Sequence, residues 1–193
     1  MARTALVTGS ATRVRDVAAA LEKAGLAVIS VVDGESVSDA CTAISPASLT
    51  CYVQLPRETT VQGPSLIDRV RQFLAEGLLT RFETAALIFP LLGHEACVVL
   101  VAGNVPGAAT PDDRHARIDL LRVLGRAIMA ESAGADVRAV VVGYERSADE
   151  IAEIAVHRGD DRGWRQARVE ALPSDLNYAD WQREVLSMTM TEE

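Results

Sequence analysis

The chain has 193 residues, of which 49% are hydrophobic and 24% charged, the proportions of a folded protein long enough for one domain with a full core and short for two. Its formal net charge of −8 opposes nonspecific attraction to nucleic acid or to an anionic membrane, both of which are themselves negative. No apolar run approaches the roughly 20 residues that a membrane helix requires, so neither partner is expected.

The first seven residues run straight into a strand and a Gly turn, without the apolar stretch and small-residue cleavage site of a secretory signal, which predicts a soluble, cytoplasmic protein. Residues 5–7 and 28–32 read as the first two strands. Between them Val14, Val17, Ala18, Leu21 and Ala24 recur at three- and four-residue intervals, predicting a helix with one buried stripe that ends near Gly25. A less regular segment runs through Pro46, and 49–55 predicts a strand stopped by Pro56. Residues 64–92 carry the longest helical pattern, with Leu66, Ile67, Val70, Leu74, Leu78, Phe82, Ala85, Ala86 and Phe89 on its stripe and Pro90 near its end. The nearly all-apolar run 97–101 predicts a central strand covered on both faces. After a loop at 104–113 come a helix at 114–133, with Ile118, Leu121, Leu124 and Ile128 on one side, and a buried strand at 137–142. Beyond Tyr144 the pattern predicts a helix at 147–157, a short strand near 168–172, helical residues at 180–186 and a loose tail at 189–193. Strand-length runs alternating with helical stretches predict repeated βαβ units in a single α/β domain over 1–188, with a mostly parallel sheet between helical layers.

Cys41, Cys51 and Cys97 lack a CxxC spacing and sit among apolar neighbours, which predicts buried reduced thiols without a chemical role. His94, His115 and His157 are far apart in sequence and form no HxxxH or HxxE arrangement, so no metal site is expected. No serine lies in a GxSxG-like elbow. Asp112 and Asp113 suit the N-terminal dipole of the later helix.

The opening Ala5-Leu6-Val7-Thr8-Gly9-Ser10-Ala11-Thr12-Arg13-Val14-Arg15 resembles the first strand and TGxxxGxG turn of the short-chain dehydrogenase/reductase family, with Arg13 and Arg15 on the second and third glycines. The segments 66–92, 120–131 and 137–143 are similar to that family's long central helix, its following helix and the next strand. The resemblance, which covers roughly residues 3–143, implies a three-layer, Rossmann-like doubly wound fold. Only about 20 residues join Val32 to Val53, where the family fits another helix, strand and helix, so the sheet is expected to be shortened at the edge after the second strand.

In the same frame the catalytic residues are missing. Arg114 and Ile118 stand where the family carries the Tyr and Lys of its proton relay, Gly103 or Ala102 where it carries Ser, and Leu74 where it carries Asn. Val53-Gln54-Leu55-Pro56-Arg57 replaces the LVNNAG turn. Thr8, Gly9, Ser10, Arg13, Arg15 and Asp33 are then what remains of the cofactor turn, as a vestige or as an anion site at a helix N-terminus. An Arg side chain at position 13 or 15 is expected to occupy the room of the pyrophosphate. Asp33 lies near the ribose-binding acidic position, one residue late, and also reads as a turn residue before Gly34. Tyr144 follows the last of these strands at the mouth where such folds bind ligands, without a Lys four residues on.

These features imply a non-catalytic relative of the family, a pseudoenzyme with no catalytic residue, no metal and no cofactor expected. It would act as a binding, regulatory or scaffolding subunit. The alternative is an atypical NAD(P)-dependent oxidoreductase holding NAD or NADP. In the family the two long helices form a four-helix dimer interface, and Leu79, Leu87, Leu120 and Val123 widen the stripes here. A homodimer, or a heterodimer with an intact family member, is therefore expected through helices 64–92 and 114–133.

Overall fold

A computed structural model describes residues 3–57, 64–65, 67–68, 79–103, 111–132 and 135–157, with the backbone alone for 111–117. Five strands form one all-parallel sheet: β1 (Thr4–Gly9), β2 (Ala27–Val32), β3 (Leu49–Gln54), β4 (Leu92–Val101) and β5 (Arg138–Val142), in the spatial order β2-β1-β3-β4-β5. The helices are α1 (Ala11–Lys23), α2 (Val37–Thr42), α3 (Thr80–Ile88), α4 (Pro111–Glu131) and α5 (Ala148–Val156), with a 3-10 turn at Phe89–Leu91.

β1, β3 and the second half of β4 are nearly all apolar because both faces are covered, whereas the outer strands β2 and β5 are mostly half-buried, so the strand expected to be buried at 137–142 is only partly so. Val7, Cys51, Val53, Val99 and Val101 pack with Val14, Val17 and Leu21 of α1 and Ile151, Ala152 and Ala155 of α5. Their strand neighbours Leu6, Tyr52, Val98 and Leu100 point the other way, onto Ala85 and Ile88 of α3 and Leu121, Leu124 and Ile128 of α4. The result is the expected three-layer α/β arrangement of the doubly wound type. β2 is an edge strand, and the chain passes from it to β3 through α2 alone, so the edge is shortened as the spacing implied.

Local chemistry sets the helix ends. α1 stops where Gly25 takes φ +87°, and the N–H of Leu26 returns to the Leu21 carbonyl at 3.1 Å, a C-terminal closure that favours glycine. α5 opens with a capping box: the Ser147 hydroxyl accepts from Glu150 N at 3.2 Å while Glu150 Oε2 accepts from Ser147 N at 2.8 Å.

Several expectations are corrected. The described end of the 64–92 helix is α3, whose last residue is Ile88. Pro90 lies in the 3-10 turn, and Leu92 already belongs to β4. The buried stripe of α3 is Arg81, Ala85 and Ile88, while Phe82 is half-buried and Ala86 exposed, so it is rotated from the one read from the sequence. β4 begins five residues before Cys97, and the irregular segment after β2 contains α2, capped by Ser36 accepting from Asp39 N at 3.2 Å. α4 begins at Pro111, with Asp112 and Asp113 in its first turn. The expected strand at 168–172, the helical residues at 180–186 and the tail at 189–193 lie outside the described residues. Among the described residues, no helix is long and apolar enough to cross a membrane.

Candidate functional site

In an open α/β sheet, ligands bind beyond the carboxyl ends of the strands where the winding reverses. Here that point lies between β1, which connects onward to β2 on one side, and β3 on its other side. Gly9 closes β1 at φ +138°, and a Cβ there would stand 2.7 Å from Leu55 Cβ and 2.9 Å from Leu55 O. Leu55 N donates to Thr8 O at 2.8 Å, and Ser10 N to Pro56 O at 3.3 Å, so the two strand ends are laced together. The glycine retained from the turn motif is thus demanded by packing within the protein itself. Ser10 precedes α1 in extended conformation, buried, and its side chain makes no capping bond.

Below this junction lies a buried polar cluster. Thr8 Oγ1 and Tyr52 OH are 3.1 Å apart, and burial pushes the Tyr52 phenol up to about 12. Arg81, 6% exposed, donates from Nε to Gln54 Oε1 at 2.9 Å and from Nη2 to Gln54 O at 3.1 Å and Val101 O at 2.9 Å. Gln54 Nε2 returns a bond to Arg81 O at 2.9 Å. Desolvation lowers the Arg81 guanidinium to about 10.

Above the cluster is a crevice lined by Gly9, Val32, Asp33, Gln54, Arg57 and Arg81 among others, with a volume of about 30 Å³. At its rim Arg57 Nε donates to Asp33 Oδ1 at 2.9 Å, and Glu35 Oε2 accepts from Val32 N at 2.8 Å. Asp33 N is held by Gly9 O at 2.9 Å.

The structure separates the two arginines of the turn. Arg13 Nη2 donates to Tyr144 O at 2.8 Å and Arg146 O at 3.0 Å, and its guanidinium stacks 4.8 Å from the centre of the Tyr144 ring. Arg15 is largely exposed beside Asp16 at 3.4 Å. Arg13 therefore ties α1 to the loop before α5. Gly103 follows β4, Ala102 N is bonded to Val142 O at 2.8 Å, and Ile118 packs half-buried against the α4 side of the core. Arg114 lies in α4 with its side chain outside the described residues, as is all of Leu74.

Cys51 and Cys97 are buried register partners on β3 and β4, whereas Cys41 is only half-buried, and all three are free thiols. Arg138 Nη2 donates to Cys97 Sγ at 3.2 Å, and burial pushes the Cys51 thiol up. His94 and His157 are exposed, and no cluster of metal-ligating side chains occurs among the described residues. The sequence reading missed Tyr52 and Arg81. Arg81 had a signal: it sits four and seven residues before the buried Ala85 and Ile88, on the inward face of α3.

No protein-family model matches the chain, and no curated protein matches it. Solved structures do share its fold. A candidate short-chain dehydrogenase/reductase from Corynebacterium glutamicum superposes with a TM-score of 0.51 at 16% identity over 79% of this chain and 90% of that one. BdcA (YjgI) from E. coli gives 0.54 at 14% identity over 79% and 89%. A small-chain dehydrogenase gives 0.52 at 17% over 79% and 86%. The fold is therefore α/β and Rossmann-like, as in these solved structures.

Proposed function

We propose that this protein is a non-catalytic relative of the short-chain dehydrogenases/reductases that works as a binding, regulatory or scaffolding subunit. The observation that carries it is the 2.9 Å ion pair between Asp33 and Arg57. Asp33 is nearest the position where the resemblance expects a ribose-holding acid, and Arg57 takes one of its oxygens. The other residues at the reversal do not fit a nicotinamide dinucleotide either. Gly9 is accounted for by Leu55, and a crevice of about 30 Å³ has room for two or three waters. Gly103 and Ile118 carry neither hydroxyl nor ammonium with which to move a proton.

The partner surface is the outer side of α3 and α4, where Leu79, Leu87 and Leu120 are 57%, 49% and 36% exposed. Apolar groups on that side suit a second copy of the chain or an intact short-chain dehydrogenase/reductase.

Titration of the purified protein with NADH and NADPH, following cofactor fluorescence and melting temperature, tests the reading. A ligand held only by the folded state adds about 2.7 kcal/mol of stability at one hundred times its dissociation constant. No shift at millimolar cofactor is expected. A saturable rise would overturn the proposal in favour of an atypical NAD(P)-dependent oxidoreductase. Light scattering on the eluting protein, expected to give twice the chain mass or a complex with an added dehydrogenase, checks the partner.

A further inference from the structure

We propose that the crevice between the ends of β1 and β3 binds a small oxyanion, a phosphate or carboxylate group, with Arg81 as its anchor and Arg57 at its mouth. A buried cation is costly unless it is paired, and Arg81 is 6% exposed with, among the described residues, neutral partners only: the Gln54 amide oxygen and the carbonyls of Gln54 and Val101. Its Nη1 makes no hydrogen bond among the described residues, although Arg81 lines the crevice. The two acids of the lining are engaged elsewhere, Asp33 with Arg57 and Glu35 with the Val32 N–H.

The choice of Gln at position 54 is informative. A Glu there would neutralise Arg81 internally with the same bond to Nε but would lose the bond that Gln54 Nε2 donates to Arg81 O, whereas the amide makes both bonds and leaves the guanidinium charge uncompensated. An anion arriving from outside would supply the missing counter-charge where water is scarce. The volume of about 30 Å³ admits the oxygen end of a small anion, the rest of which would lie at the open mouth.

The test uses the full chain at constant ionic strength, titrated with sodium phosphate, with sodium acetate and, as control, with sodium chloride. Melting temperature and the 15N-detected Nε–H resonance of Arg81 are followed. The expected result is a saturable rise in melting temperature with phosphate or acetate over chloride, at a dissociation constant in the millimolar range, with a matching shift of the Arg81 resonance. Whichever salt acts identifies the group. Arg81→Met is expected to weaken binding at least about tenfold. Gln54→Glu, which preserves side-chain size, is expected to fold and to lose the response; it decides the matter if the Arg81 variant does not fold. Equal curves for all three salts, or an undiminished response in Gln54→Glu, would overturn the proposal. Phosphate binding without an NADPH response separates this inference from the one on cofactor loss, on which it does not depend.

Discussion

Gly9 and Leu55 meet so closely that β1 and β3 leave no room for a side chain between them: a Cβ on Gly9 would lie 2.7 Å from Leu55 Cβ and 2.9 Å from Leu55 O. Trimming Leu55 to Ala would relieve neither contact, because alanine keeps the Cβ and the second is with backbone. Gly9 also sits at φ +138°, a region that L-residues avoid. Gly9→Ala should therefore destabilise the protein by about 3 kcal/mol, adding strained backbone to overpacking, and adding Leu55→Ala should recover none of it, since it also empties a buried site. Urea unfolding of both variants measures this, and recovery in the pair would show that the Leu55 atoms beyond Cβ, not the Cβ and carbonyl contacts, set the cost.

The reciprocal bonds between Gln54 and Arg81 predict strong coupling. Gln54→Leu leaves a buried guanidinium short of an acceptor and should cost about 3 kcal/mol, while Arg81→Met leaves an amide short of its partner and should cost about 2 kcal/mol. The double variant should be more stable than the sum of the two losses by at least about 1 kcal/mol. A double-mutant cycle in urea gives the value, and additivity would rule out the network.

How much of this was legible depended on the range of the forces involved. β1 and β3 lie within a residue or two of the expected bounds because apolar runs report two-sided burial directly, and β2 and β5 do so through their apolar runs although they are only partly buried. The front of β4 was hidden, since Gly93, His94 and Glu95 interrupt the pattern, yet Gly93 belongs there for a tertiary reason: a Cβ on it would stand 2.9 Å from Ala47 O. α2, six residues long, is too short to show a period. The shortened edge was read from spacing alone. In the candidate site, Thr8, Gly9, Ser10 and Asp33 do gather at the strand reversal, but Arg13 reaches 131 residues along the chain to Tyr144, and Arg57 bonds Asp33 across 24. Neither pairing leaves a local trace. Arg81 was obscured because a lone charge on a helical pattern ordinarily marks the solvent side.

Glu150 predicts an acid-limb effect. The Ser147 backbone N–H, then Arg146 and the Ser147 hydroxyl, hold its carboxyl below its ordinary value of 4.5. A carboxyl whose folded pKa is depressed stabilises the protein above its unfolded pKa and loses that contribution as pH falls through the folded one. Glu150→Gln keeps the capping geometry without the titration. The variant should therefore lose less stability than the wild type between pH 5 and pH 3, on the order of the window the depressed pKa sets. Parallel falls in urea midpoint would exclude Glu150 as a contributor.

Arg13 provides the test of what the altered turn does. If it is a strut between α1 and the loop at 144–146, then Arg13→Met removes two bonds to carbonyls and the stacking on Tyr144 while keeping much of the apolar stem. The loss should be about 1–2 kcal/mol, since one acceptor is exposed and regains water. For a chain of this size that lowers the melting temperature by about 2–4 °C per kcal/mol. The position of the damage matters more than its size: amide exchange should accelerate at residues 143–147 and at the start of α5, and remain unchanged in β2 at the far edge of the sheet. Arg13→Lys should restore part of the protection, because an ammonium can still reach a carbonyl but lacks the flat guanidinium that stacks on Tyr144. Unchanged exchange at 143–147 in Arg13→Met would mean that the loop is held without this contact.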